Sequence, residues 1–114
     1  MFVIQEGSID IFQVNEDITI RNVEVFQNKM KSFLIDAEQF LLLDLEHVEY
    51  LNSSALGIIA HTAMQSKQMD KKFVVAGIHP LLEEIFTIVK FSSFMRLFPT
   101  VEEGINYLSN DKSN

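Results

Sequence analysis

The chain has 114 residues, of which 47% are apolar and 11% aromatic, a composition that fits one folded domain with a single core and argues against disorder. Nine Lys and Arg against sixteen Asp and Glu give a net charge of −7. This deficit argues against nucleic acid and anionic membrane surfaces, because both attract basic proteins. Cysteine is absent, which excludes disulfides, thiolate metal sites and cysteine nucleophiles.

Neither a signal peptide nor a membrane span is expected. The N-terminus has no basic region followed by a long apolar stretch, and apolar runs such as residues 40–43 are too short to cross a bilayer. We therefore expect a soluble cytoplasmic protein without membrane insertion. We predict one domain over residues 1–110 and a disordered tail over residues 111–114, within a polar stretch that begins at Ser109.

The first predicted elements are a hairpin and a helix. Residues 2–5 and 9–14 read as short strands, and Gly7 lies in the tight turn between them. After a polar loop, apolar residues recur at helical spacing, and Asn22 is placed to cap this helix. The residues on its apolar face are Val23, Phe26, Met30, Phe33 and Leu34.

The rest of the chain alternates between strands and amphipathic helices. The predicted elements are a buried strand at residues 40–45, a helix from Ser53 or Ser54, a strand at 73–76, a helix opened by His79-Pro80, a strand at 97–98 and a helix capped by Thr100 and Glu103. The inner faces of these three helices are Leu56, Ile59, Ala60 and Ala63; Leu82, Ile85, Phe86 and Val89; and Val101, Ile105 and Leu108. The order β-β-α-β-α-β-α-β-α predicts a single α/β domain with a mixed, mostly parallel sheet and about four covering helices.

Common enzyme and metal motifs are missing from the sequence. It contains no phosphate loop, dinucleotide fingerprint, nucleophile elbow or H-E-x-x-H pair. Asp44, Glu46 and Glu49 fit a strand end and a solvated loop better than paired acid–base catalysts. The three histidines, His47, His61 and His79, lack metal-ligand spacing and read as surface or loop residues. We therefore predict no enzyme, no catalytic residue, no metal and no cofactor.

Two adjacent serines, Ser53 and Ser54, lie where a loop becomes a helix. Capping of the helix by Asn52 or Ser53 is a sufficient structural explanation. Three features favour a functional site. Small side chains crowd the helix start, the site follows the carboxyl end of a predicted buried strand, and residues 32–66 contain five acids but no Lys or Arg.

A phosphoryl group on Ser54 would change the surface rather than the fold. It would add a charge of about −1.5 to −2, which a helix N-terminus tolerates. Helical spacing places an outward stripe along the same helix, formed by Ser54, Ile58, His61 and Gln65. Ile58 is either an anchor for a partner or an isolated exposed apolar residue. The predicted partner-binding residues are Asn52, Ser53, Ser54, Ile58 and His61, with Ser54 as the phosphorylation site.

Residues 44–57 resemble the D-L-x-x-V-x-x-[ILM]-D-S-S-G-L-G motif of STAS domains, most closely that of stand-alone anti-sigma factor antagonists. Residues 73–80 and 100–105 also fit the family pattern, so the resemblance spans residues 2–110. Two positions depart from it. Asn52 stands where the family usually has Asp, which loses a charge but keeps a capping acceptor. Ala55 stands where Gly is usual, which narrows backbone freedom at the helix start.

The resemblance implies a non-enzymatic partner-switching regulator of transcription. In such families the unmodified antagonist binds an anti-sigma factor that is also a serine kinase of the histidine-kinase ATPase type, and this frees the sigma factor. The kinase phosphorylates the second serine, here Ser54, and thereby releases the antagonist. A metal-dependent PP2C-type phosphatase restores it.

Two other functions stay open at this point. The chain could be a non-phosphorylated STAS scaffold subunit of a stressosome-like or transporter-associated complex, in which Ser54 is idle. It could also be a sensor of a small ligand, or an enzyme without a familiar motif.

Overall fold

A five-stranded mixed sheet forms the centre of the molecule. The computed structural model describes residues 1–112. The strands lie in the order β1-β2-β3-β4-β5, and only β1 and β2 pair in antiparallel fashion. The strand bounds are β1 Phe2–Glu6, β2 Ile9–Gln13, β3 Phe40–Asp44, β4 Lys72–Ala76 and β5 Arg96–Phe98. The predicted hairpin and mostly parallel sheet are therefore confirmed.

Four helices follow the strands in the predicted order. Their bounds are α1 Val23–Asp36, α2 Ser53–Gln68, α3 Pro80–Ile88 and α4 Val101–Lys112. A short 3-10 helix at Phe91–Ser93, which the sequence did not predict, precedes β5. None of the helices within residues 1–112 has both the length and the apolar character that a membrane span requires.

Two hydrophobic clusters lie on opposite faces of the sheet. Alternate residues of β3 point to opposite faces, so Leu41 and Leu43 join the cluster under α1, α2 and α3, whereas Phe40 and Leu42 join the cluster under α4. Helices cover both faces, and all five residues of β3 are consequently buried. This burial explains why β3 reads as a continuous apolar run rather than an alternating one.

The inner face of α2 differs from the predicted one. Ile59 and Ala63 are buried as expected, but Leu56 and Ala60 are only partly buried. Three small or short side chains, Ala55, Thr62 and Ser66, are buried instead. Thr62 and Ser66 satisfy their hydroxyls on the carbonyls of Ile58 and Ala63, both at 2.8 Å, so burying them leaves no donor unpaired.

Two predicted end residues also differ from the structure. Asn22 precedes α1, but its side chain does not cap it; its Oδ1 accepts from Thr19 N at 2.8 Å, and its amide donates to Glu16 at 2.8 Å. Val89 was predicted on the inner face of α3, but it lies just after the last residue of that helix and is exposed.

The C-terminal helix continues further than predicted. Thr100 Oγ1 accepts from Glu103 N at 3.1 Å, which confirms the predicted cap. The reciprocal contact joins the Glu103 carboxylate to the Thr100 hydroxyl at 3.1 Å, rather than to the backbone N–H of a full capping box. Helix α4 extends to Lys112, two residues into the predicted disordered tail. The rest of that tail, residues 113–114, lies outside the described residues.

Candidate functional site

Three loops meet at the carboxyl edge of the parallel strands. The strand ends are tied together, because Val14 N donates to Asp44 O at 3.1 Å and Leu45 N donates to Ala76 O at 2.9 Å. Further out, Ile18 pairs with Leu51 in an isolated parallel bridge. These bonds hold residues 45–52, the loop that delivers the chain to α2, against its neighbours on both sides.

Asp17 fixes the middle of this loop through its carboxylate. Its Oδ1 accepts from Glu49 N at 2.8 Å and from Tyr50 N at 3.2 Å. Two backbone donors that would otherwise face solvent are thereby ordered by a residue more than thirty positions earlier in the chain. Sequence analysis placed Asp17 only in a polar loop, because a contact at this separation leaves no local signal.

The turn after β4 packs against the same loop from the other side. Gly77 has a φ of +77°, and a Cβ built on it would lie 2.9 Å from both Glu46 Cβ and Glu46 N. Only glycine allows this approach without a shift of the loop. His79 Nε2 lies 2.6 Å from Glu46 O and must donate to it, since a carbonyl only accepts. His79 is therefore a half-buried loop histidine with a structural bond.

Asp44 ends β3 beneath the loop. Its side chain is 3% exposed, and its Oδ1 accepts from Glu46 N at 3.0 Å. Burial raises the pKa of the Asp44 carboxyl above its usual value, and the hydrogen bond from Glu46 partly offsets this rise. Glu46 and Glu49 are exposed, so these three carboxyl groups share no enclosed site. The predicted strand-end and loop roles are confirmed.

Asn52 is the residue that caps α2. Its Oδ1 accepts from Ala55 N at 2.8 Å, and its backbone is extended, as an N-cap requires. Ser53 and Ser54 begin the helix itself, and both are exposed. Neither hydroxyl forms a hydrogen bond within the described part of the chain. The structure thus resolves the alternative left open by the sequence, and it leaves the Ser54 hydroxyl accessible to solvent.

Ser54 stands at one end of a groove between α1 and α2. The groove encloses about 680 Å³. All four residues of the predicted stripe line its α2 side: Ser54, Ile58, His61 and Gln65. Ile58 is half-buried and packs against the core, so it forms part of the groove wall rather than projecting freely. Gly57 lines the same wall, and apart from its chain neighbours and its own helix backbone no atom lies within 4 Å of a Cβ built there.

Helix α1 supplies the opposite wall, which the sequence analysis did not assign to a site. Its lining residues are Val23, Glu24, Gln27, Asn28, Met30, Lys31 and Leu34. Glu24 and Ser54 both lie in the first turn of their helices, and α1 and α2 both start at the carboxyl edge of the sheet. They therefore share one end of the groove, whereas Lys31 lies about two turns further along α1. Val23, Met30 and Leu34 of this wall belong to the apolar face that the sequence predicts for α1.

The predicted partner-binding residues occupy one continuous surface. It runs from Asn52 through Ser53 and Ser54 to Ile58 and His61, along the start and the outer wall of α2. The three histidines do not converge, and no group of His, Asp or Glu within residues 1–112 could hold a metal ion. The arrangement offers an accessible hydroxyl and a mixed polar and apolar groove.

Comparison with known proteins places this geometry in a family. The family model of the STAS domain matches residues 3–104. The chain belongs to the STAS family. BtrV of Bordetella bronchiseptica, whose assignment as an anti-sigma factor antagonist is provisional, is 27% identical over 78 residues. That match covers 68% of this chain and 65% of BtrV, just under two thirds of its length.

Solved structures share the fold at low identity. An anti-sigma factor antagonist from Mycobacterium paratuberculosis is 20% identical, with a TM-score of 0.84 over 93% of this chain and 90% of that one. SpoIIAA of Bacillus is 14% identical both unphosphorylated, with a TM-score of 0.77, and phosphorylated, with a TM-score of 0.70. The unphosphorylated match covers 96% of both chains, and the phosphorylated match covers 94% of this chain and 97% of SpoIIAA.

Proposed function

We propose that this chain is a cytoplasmic anti-sigma factor antagonist that works by partner switching. In its unphosphorylated form it binds an anti-sigma factor that is also a serine kinase of the histidine-kinase ATPase type. Phosphorylation of Ser54 releases it, and a PP2C-type phosphatase returns it to the binding form. The chain itself catalyses neither reaction. The kinase binds the ATP for phosphorylation, and the phosphatase binds the metal for dephosphorylation.

The observation that carries the proposal is the division of labour between Asn52 and Ser54. Asn52 makes the capping bond to Ala55 N, so the exposed Ser54 hydroxyl is not needed to start the helix. The Asn52 side-chain amide supplies the hydrogen-bond acceptor for the N-cap. The helix therefore keeps its cap although Asn52 stands where the family usually has the carboxylate of Asp. Ala55, the second departure from the family pattern, is buried beneath the helix start and does not cover Ser54.

The charge at the site supports release after phosphorylation. A phosphoryl group on Ser54 lies at the positive end of the α2 dipole, so the fold tolerates it. On the outside, the same group joins Glu24 at one end of the groove. This end changes from weakly to strongly negative, and a partner lying across it meets both added bulk and unfavourable charge.

The names of relatives point to the same function. BtrV and the Mycobacterium paratuberculosis protein are described as anti-sigma factor antagonists, and SpoIIAA exists in both unphosphorylated and phosphorylated forms. These names support an antagonist whose state is set by phosphorylation.

Phosphoryl transfer to one serine tests the proposal. The purified chain is incubated with ATP and its anti-sigma factor kinase, and the modified residue is mapped by mass spectrometry. We expect one phosphoryl group, on Ser54. It should be lost in Ser54→Ala and kept in Ser53→Ala, which removes another exposed hydroxyl one residue earlier.

Two outcomes would contradict the proposal. Phosphorylation of Ser53→Ala and Ser54→Ala to the same extent would place the acceptor elsewhere. Binding of the kinase without any phosphoryl transfer would favour the alternative function, a non-phosphorylated scaffold subunit in which Ser54 is idle.

A further inference from the structure

Strand β1 leaves one edge of the sheet open. It is the first strand in the sheet order, and within the described residues it pairs only with β2. All five of its residues are exposed. The backbone N–H and C=O groups along its outer side therefore face solvent, and such a row of groups is a template for another strand.

The exposed side chains of β1 are apolar on both faces of the sheet. Val3 pairs with Phe12 and points to the face covered by α1, and it is 50% exposed. Phe2 and Ile4 point to the face covered by α4 and are 50% and 40% exposed. Helix α4 packs mainly on β2 to β5 and leaves these two side chains largely uncovered. β1 has no Lys, Pro or bulge of the kind that protects an edge strand.

Two surface hollows lie beside Val3 at the open edge of the sheet. One, of about 300 Å³, is lined by Phe2, Val3, Phe12 and the α1 residues Asn28, Lys29 and Ser32, together with Met1. The other, of about 120 Å³, is lined by Val3 and Asp10 together with Phe33, Asp36 and Ala37 at the end of α1. Side chains of a neighbouring strand would fill both hollows.

The charges flanking β1 favour a second copy of this chain as the occupant. Lys29 lies beside the Phe2 end of β1, and Asp36 lies beside the hollow near Asp10. Neither forms an ion pair within the described part of the chain. A two-fold axis through the middle of β1 places the two copies in opposite directions. Lys29 of each copy then faces Asp36 of the partner subunit, which gives two equivalent contacts.

We propose that β1 pairs antiparallel with β1 of a second copy, about a two-fold axis near Ile4. The two sheets then become one continuous sheet, in which Ile4 lies opposite Ile4 of the partner subunit and Phe2 lies opposite Glu6 of the partner subunit. Opposite charges on the two α1 helices set the direction of pairing. This inference goes beyond the proposed function and does not depend on it.

Sedimentation equilibrium over a range of concentrations tests the dimer. We expect a species of twice the 13.1 kDa chain mass. In Ile4→Lys, two ammonium groups meet at the axis, and we expect dimer association to fall by at least about tenfold. Ile88→Lys makes the same charge change on the exposed side of α3 and should dimerise as the natural chain does. A monomer at every concentration, or a dimer that survives Ile4→Lys, overturns the proposal.

A charge swap tests the direction of pairing and separates a second copy from a foreign strand. Lys29→Asp and Asp36→Lys each create like-charged contacts, and each should weaken the dimer by about five- to tenfold. The double variant restores both pairs and should dimerise as the natural chain does. Circular dichroism confirms that each variant is folded. Absence of this rescue overturns the antiparallel arrangement.

Discussion

Asn52 and Ser54 are only two residues apart, but Asn52 has a structural role as the helix cap and Ser54 has a proposed regulatory role. The Asn52 side chain makes the first hydrogen bond of α2, whereas the Ser54 hydroxyl makes none within the described residues. A residue with no structural bond can be modified without unfolding its helix. The capacity for regulation therefore depends on the cap being made by another residue.

This division of labour predicts a contrast in thermal stability. Asn52→Ala removes the cap and should cost about 1 kcal/mol, which lowers the Tm by about 4 °C. Ser54→Ala should change the Tm little, and Ser54→Asp should also change it little because the helix N-terminus favours a negative charge. Thermal melts followed by circular dichroism measure all three. A Tm loss in Ser54→Ala as large as that in Asn52→Ala would make Ser54 a structural residue.

Sequence reasoning located the candidate site but could not choose its capping residue. Asn52 and Ser53 both have suitable side chains, and local preference does not separate them. The loop that enters α2 is held by distant residues: Asp17 accepts from Glu49 N and Tyr50 N, and Asn52 N donates to Ile18 O at 3.0 Å. Contacts between such distant positions are invisible to local patterns.

The strands and helices were largely predictable, because the spacing of apolar residues along the sequence differs between a strand and a helix. The face that a helix buries was harder to predict when its residues were small. Ala55 and Ser66 fit a core or a surface equally well by composition, and in α2 both are buried where the helix lies close to its neighbours. Large apolar residues such as Phe26 and Phe86 left no such ambiguity, and both are buried as predicted.

At the scale of elements, the groove between α1 and α2 is the proposed docking surface. Its wall combines the half-buried Ile58 with the exposed His61. Ile58→Glu should weaken kinase binding by about tenfold and lower stability modestly, because part of the side chain contacts the core. Met64→Glu places the same charge at an exposed apolar position of α2 outside the groove and should bind normally.

A second variant separates lost binding from lost stability. Gly57→Glu adds bulk and charge to the groove at a position where the new Cβ meets no residue of another element within 4 Å. It should weaken binding without lowering the Tm, because glutamate forms helices better than glycine does. Isothermal titration with the kinase measures the binding of each variant, and circular dichroism measures its thermal melt. Normal binding by both groove variants would mean that the partner docks elsewhere.

At the scale of the whole molecule, the sheet is covered unevenly. Within residues 1–112, three helices lie over one face, whereas α4 lies alone over the other and leaves Phe2 and Ile4 exposed at β1. Sequence reasoning predicted the β1–β2 hairpin but not its open edge, because strand order depends on how the later strands assemble. The sequence of an apolar strand is the same whether the strand pairs with a neighbour in its own sheet or with a second chain.

The fold and the switch are separable in this account. The core beneath α1, α2 and α3 does not include the Ser54 side chain, so a change of charge there alters the surface of an intact domain. Partner affinity should therefore change far more than the free energy of unfolding does.

The most direct test is to titrate the anti-sigma factor kinase with the natural chain in two purified forms, unphosphorylated and phosphorylated on Ser54. The account predicts that phosphorylation weakens binding by about 100-fold, equivalent to about 2.7 kcal/mol, while the Tm of the antagonist stays nearly constant. Equal affinities for the two forms would contradict it.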